Sequence, residues 1–115
     1  MFIYMLCPNC YADSHILQLA EIFRLMGDPT RLKILVACVG RPRAVGEIAI
    51  EVGASPSLVS HHLRLLRAAR ILRKTRQGKQ AFYSPADAHI SHMLVDMLDH
   101  VSEPADEHAD AEVED

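Results

Sequence analysis

From Ala12 to Met26 the apolar positions Ile16, Leu19, Ala20, Phe23 and Met26 recur at helical spacing. Leu17, Ile22 and Leu25 widen that face beyond what an exposed helix leaves in water, so a partner subunit is expected to cover it. A second helix restarts at GDPTRLKILVAC, with Asp28 as its cap and Pro29 in its first turn. Leu32, Leu35, Val36 and Val39 are expected on its inner face, and Gly40-Arg41-Pro42 ends it.

The next stretch, AVGEIAIEVGASPSLVSHHLRLLRAARIL, reads as helix, tight turn, helix. Val45, Ile48, Ala49 and Val52 share one face, Gly53 permits the turn, and Ser55 caps the second helix ahead of Pro56. Leu58, Val59, Leu63 and Leu66 are expected to bury that helix, which leaves Ser57, Ser60, His61, Arg64 and Arg67 outside. ILRKTRQGKQAFYS then predicts two short strands around Gln77-Gly78-Lys79. A last helix, from about Pro85 to Ser102, would bury Ile90, Met93, Leu94, Met97, Leu98 and Val101, and Pro104 stops it. The fold class is therefore mainly α with a small β-hairpin, a winged helix-turn-helix. Residues 1–11 form an N-terminal arm, 12–103 the domain, and 104–115 an acidic tail expected to be disordered.

At 115 residues the chain is long enough for one modest core. Its apolar runs fall far short of the roughly 20 residues of a membrane span, and MFIYML lacks the basic flank of a secretory signal. Three cysteines without such a signal point to a reducing cytoplasm rather than a disulfide framework.

The net charge of −3 conceals a segregation. Residues 41–80 hold nine basic side chains against Glu47 and Glu51, whereas residues 81–115 hold ten acidic ones and no Lys or Arg. A basic middle calls for a polyanion. Ser57, Ser60 and His61 can reach base edges in a major groove, with Arg64 and Arg67 positioned for phosphate or guanine. Arg73, Lys74, Arg76 and Lys79 on the wing would add sequence-independent phosphate contacts, and Ser55 stands at the tip of the same helix. No nucleophile–base pair stands out, so an enzyme is not expected.

The segments MGDPTRLKIL, SPSLVSHHLRLLRAARIL and GKQAFYS resemble the ArsR/SmtB family of dimeric winged-helix repressors, over about residues 16 to 103. The resemblance implies a homodimer bridged by the first and last helices, which binds operator DNA at an imperfect inverted repeat and releases it when an inducer binds.

It also bears on DAHISHMLVDMLDHVSE, which carries zinc-ligand residue types at both of its ends. His89 and His100 lie about 16 Å apart along one helix, too far for one ion. In an antiparallel pair of last helices, Asp87 and His89 of one chain meet His100 and Glu103 of the other. The spacing matches the last-helix site of zinc and cobalt sensors in the family. By motif the ligands are Asp87, His89, His100 and Glu103, for Zn(II) or Co(II). His92 is an alternative ligand. The resemblance further implies a hydrogen bond from the His100 ring to the Arg70 carbonyl, coupling metal to the DNA-reading helix.

Other members use a second site that contains cysteine, and here Ala44 stands in the cysteine position. A degenerate site from Cys7, Cys10, His15 and Glu47 remains open, as does a thiol- or persulfide-sensing role for Cys7 and Cys10. A metal-buffering protein is the third reading. Cys38 reads as a core residue, and His108 as solvated.

Overall fold

The structure, a computed structural model, describes residues 11–104. The elements follow in the order α1 (Asp13–Met26), α2 (Pro29–Cys38), α3 (Val45–Val52), α4 (Pro56–Ala68), β1 (Leu72–Gln77), β2 (Gln80–Pro85) and α5 (Ala88–Ser102). This is the winged helix-turn-helix read from the sequence, with α3 and α4 as the helical pair and the antiparallel β1–β2 hairpin as the wing. Cys7, Cys10 and His108 lie outside the described residues.

Local chemistry sets the boundaries. The Asp28 carboxylate accepts from the Arg31 N–H at 3.0 Å, the Ser55 hydroxyl from Leu58 at 3.1 Å, and the Asp87 carboxylate from Ile90 at 3.2 Å. Each bond satisfies a donor that the first helical turn leaves without a partner. Gly53 closes α3 in the left-handed region at φ 71°, where a side chain would be strained. Gln77 pairs with Gln80, so the wing turns on two residues, and Gly78 takes the first of them at φ 65°.

The core joins Ile34, Leu35 and Cys38 of α2 to Ile48 of α3 and to Val59, Leu63 and Leu66 of α4. Ile71, Leu72 and Tyr83 bring the wing into it, and Leu94 brings α5. Three sequence expectations need correction. Leu32 is exposed and Ile34 fully buried, because α2 is apolar nearly all round and its periodicity admits more than one inner face. Leu58 is exposed, and the inner face of α4 is Val59, His62, Leu63 and Leu66, an i, i+3, i+4, i+7 series that includes a histidine. The last helix begins at Ala88, because Pro85 still pairs with Leu72 in the sheet.

A fourth difference concerns partners. Of the series expected to be buried on α5, only Leu94 is buried within the chain. Ile90 and Met93 are partly covered, while Met97, Leu98 and Val101 are exposed, the last at 73%. On α1, Ile16, Leu17, Leu19 and Phe23 are likewise exposed, Leu17 at 71%. Two long helices thus carry exposed apolar faces among the described residues.

Candidate nucleic-acid interface and metal half-sites

Ser57, His61, Arg64 and Arg67 stand exposed on the outer face of α4, and Ser60 is half-buried beside them. The wing adds Arg73, Arg76 and Lys79, exposed, and Lys74, half-buried. Arg24 pairs with Glu21, Arg41 with Glu47 and Arg43 with Glu51. Among the described residues, the cations of α4 and the wing make no ion pair, and Arg73 only donates to the Ser84 hydroxyl at 3.3 Å. Positive charge is thus left uncompensated on this face, as a polyanion surface requires.

His62, next to exposed His61, is turned inward, and its Nδ1 is buried without a hydrogen-bond partner. Burial pushes its pKa down, Arg31 and His61 push the same way, and Asp28 opposes them. The Cys38 thiol, also buried, is pushed up to about 12 by loss of water, so it stays neutral and inert.

At the start of α5, the Asp87 carboxylate that caps the helix lies 3.6 Å from His89 Nδ1, and both side chains face solvent. His100 lies in the last turn and Glu103 at the C-cap, both exposed. Among the described residues, no three His, Cys, Asp or Glu side chains of one chain come together to hold a metal. The chain therefore presents two separated half-sites. At about 100° per residue, His89 and His100 differ by about 20° in direction around the helix, so both point the same way.

Two members of the alternative second site, Glu47 and His15, are otherwise engaged. Glu47 accepts from the Ala44 N–H with one oxygen and from Arg41 with the other, both at 3.0 Å. Those two bonds hold its carboxyl below the usual range. His15 Nδ1 accepts from the Ala12 N–H at 3.2 Å.

Arg70 ends α4 in the left-handed region at φ 62°, with the Ile71 N–H reaching back to the Leu66 carbonyl at 2.9 Å. Ala68, Ala69 and Arg70 line a cleft of about 420 Å³ with Asp87 and His89 of α5 and with Gln18 and Glu21 of α1. The His100 ring makes no hydrogen bond to Arg70 within the chain.

A protein-family model described as bacterial regulatory protein, arsR family, matches residues 28–74. The chain is 36% identical to a transcriptional repressor SmtB homolog of Synechocystis, over 84% of this chain and 73% of that protein. It is 34% identical to the HTH-type transcriptional regulator KmtR of Mycobacterium tuberculosis, over 79% and 70%. The chain belongs to the ArsR/SmtB family. Among solved structures it resembles the homodimeric winged helix-turn-helix DNA-binding domain of Mb0332 from Mycobacterium bovis, with a TM-score of 0.74, 21% identity, and coverage of 84% and 92%. This ArsR/SmtB chain is thus a DNA-binding transcriptional regulator and not an enzyme. No helix among its described residues is long and apolar enough to cross a membrane.

Sequence reasoning missed two features of this ArsR/SmtB chain. Arg43 belongs to an internal ion pair rather than to the polyanion face, because the fold sets Glu51 beside it. Tyr83 joins the α4 face, a placement that only strand register reveals.

Proposed function

We propose that the chain is a repressor that binds operator DNA as a metal-free homodimer and releases it when Zn(II), or Co(II) in its place, binds between subunits. Asp87 and His89 of one chain and His100 and Glu103 of its partner would hold the ion. One observation carries the reading: two exposed half-sites point the same way at opposite ends of α5, on a helix whose apolar surface is uncovered. The donors fit such an ion. Both imidazoles are free of competing hydrogen bonds within the chain, and Asp87 uses one oxygen in its cap, leaving the other. Two nitrogens and two carboxylates form a closed set suited to a structural divalent ion. The bound ion supplies a cross-link between subunits and no reaction chemistry.

Arg70 sits in the same cleft as Asp87 and His89, so a partner His100 that completes the site arrives beside the end of the DNA-reading helix. A ring N–H donated there to the Arg70 carbonyl would tie metal occupancy to α4. Engagement of Glu47 and His15 elsewhere favours this site over the one built on Cys7 and Cys10.

The test is a Co(II) titration of the reduced dimer, read by absorption, beside operator binding with and without Zn(II). Expected are a tetrahedral ligand-field band without sulfur charge transfer, and loss of DNA on metal addition. Strong sulfur charge transfer would move the site to Cys7 and Cys10. Unchanged zinc-induced release in His100→Asn would remove the coupling route.

A further inference from the structure

Between α4 and the wing lies a pocket of about 250 Å³ lined by Ser60, Leu63, Arg64, Arg67, Lys74 and Tyr83. Ser60, Arg64 and Arg67 stand at i, i+4 and i+7 and therefore share a face of α4. Lys74 and Tyr83 are direct partners across the hairpin, so their side chains project from the same face of the sheet. Leu63, buried at 1%, forms the floor. Three cations without ion pairs converge with two hydroxyls, and no carboxylate lines the pocket.

Tyr83 is the unusual member. Its side chain belongs to the core, at 9% exposure, and its backbone exchanges two hydrogen bonds with Arg43, at 3.0 and 2.8 Å. Its hydroxyl makes no hydrogen bond among the described residues, yet is not shut away from solvent. A ring fixed on one side by packing and on the other by strand pairing thus holds a donor at a set place among positive charges. Such an arrangement suits a tetrahedral oxyanion better than a base, because a phosphate accepts charge-assisted hydrogen bonds from several directions at once.

The geometry points to a pocket for one backbone phosphate of bound DNA, in which Arg64, Arg67 and Lys74 supply charge and the Tyr83 hydroxyl, with that of Ser60, fixes position. This deepens the reading of the chain as DNA-binding and rests on it. The phosphate held here sets the register of α4 in the groove, so Tyr83 is a positioning residue rather than a reader of bases.

The test uses the full chain and a duplex selected by it in vitro, with single phosphates replaced in turn by neutral methylphosphonate. Tyr83→Phe keeps the packed ring and removes only the hydroxyl. At one position in each half-site, the unaltered protein should lose about tenfold in affinity. Tyr83→Phe should start about tenfold weaker on the unmodified duplex and lose less than the unaltered protein at that position, because only the three cations remain to feel the missing charge. Its salt slope should be unchanged, whereas Lys74→Gln should flatten the slope by about 0.9. Equal losses in both proteins at every position overturn the pocket, as does unaltered affinity in Tyr83→Phe. If selection returns no duplex, the DNA-binding reading fails separately. Titration with inorganic phosphate, followed by NMR, then decides the pocket. Saturable shifts at Ser60, Lys74 and Tyr83 that vanish in Lys74→Gln keep it as an oxyanion site, and their absence removes it.

Discussion

Arg43 and Tyr83 form an isolated antiparallel bridge, and through it the wing is tied to the chain just ahead of the helix-turn-helix. The same Arg43 reaches Glu51 on α3 with its guanidinium, so one residue links wing, loop and helix. The hairpin is thereby anchored to α3 and to the loop that precedes it.

Arg43→Ala is expected to lower stability by about 1 kcal/mol, a modest figure because Glu51 is half exposed and its attraction is screened. The backbone bridge survives the substitution. A double-mutant cycle with Glu51→Ala, read by urea unfolding, should return a coupling of about 0.5 kcal/mol, and strict additivity would show that the pair contributes nothing.

His62 supplies a pH dependence whose sign follows from its burial. Its folded-state pKa lies below the ordinary imidazole value, so folding favours the neutral ring. Its contribution is complete above about pH 6.5 and declines as pH falls from there towards the depressed folded value. Asp28 and Glu47, held low by their hydrogen bonds, keep their contribution above the ordinary carboxylate pKa and lose it as pH falls from there towards their depressed folded values. Urea midpoints should therefore drop between about pH 7.5 and pH 5.5 in the unaltered protein and drop less in His62→Gln. Equal drops would assign the dependence elsewhere.

Two glycines should respond in opposite directions. Gly53→Ala places a side chain at φ 71° and should cost about 1 kcal/mol, although nothing obstructs the added carbon. Gly46 sits inside α3 with open space around it, so Gly46→Ala should stabilise by about 0.5 kcal/mol. Thermal unfolding of the pair separates backbone strain from crowding.

Met97 and Phe23 are each 53% exposed on the uncovered apolar faces of α5 and α1. Met97→Glu should leave the monomer folded, with unchanged far-ultraviolet circular dichroism, and shift sedimentation from dimer towards monomer. A dimer unaffected by both Met97→Glu and Phe23→Glu would place the interface on another surface.

Subunit mixing tests whether the metal site is shared. His89→Ala and His100→Ala should each abolish tight Co(II) binding as homodimers. Refolded together, they form heterodimers in which His89 of one chain meets His100 of the other, restoring one site per heterodimer. No recovery of the ligand-field band on mixing would mean that the ligands come from a single chain.

Much of the architecture was legible because it is encoded locally. Asp28 and Ser55 cap helices through side chains three residues from their partners, and Gly53 and Gly78 mark turns by a backbone freedom that favours glycine. The spacing from Asp87 to Glu103 and the segregation of charge were also present in the order of residues alone. What depends on how elements rotate against one another was not. The inner face of α2 fell on Ile34 rather than Leu32, and that of α4 included His62 in place of Leu58, because neighbouring helices choose among faces that periodicity leaves nearly equal. The Arg43–Glu51 pair and the meeting of Tyr83 with Arg64, Arg67 and Lys74 likewise arise from contacts between distant segments. Short-range hydrogen bonding and backbone sterics are written residue by residue, whereas packing is decided only when surfaces compete for the same core.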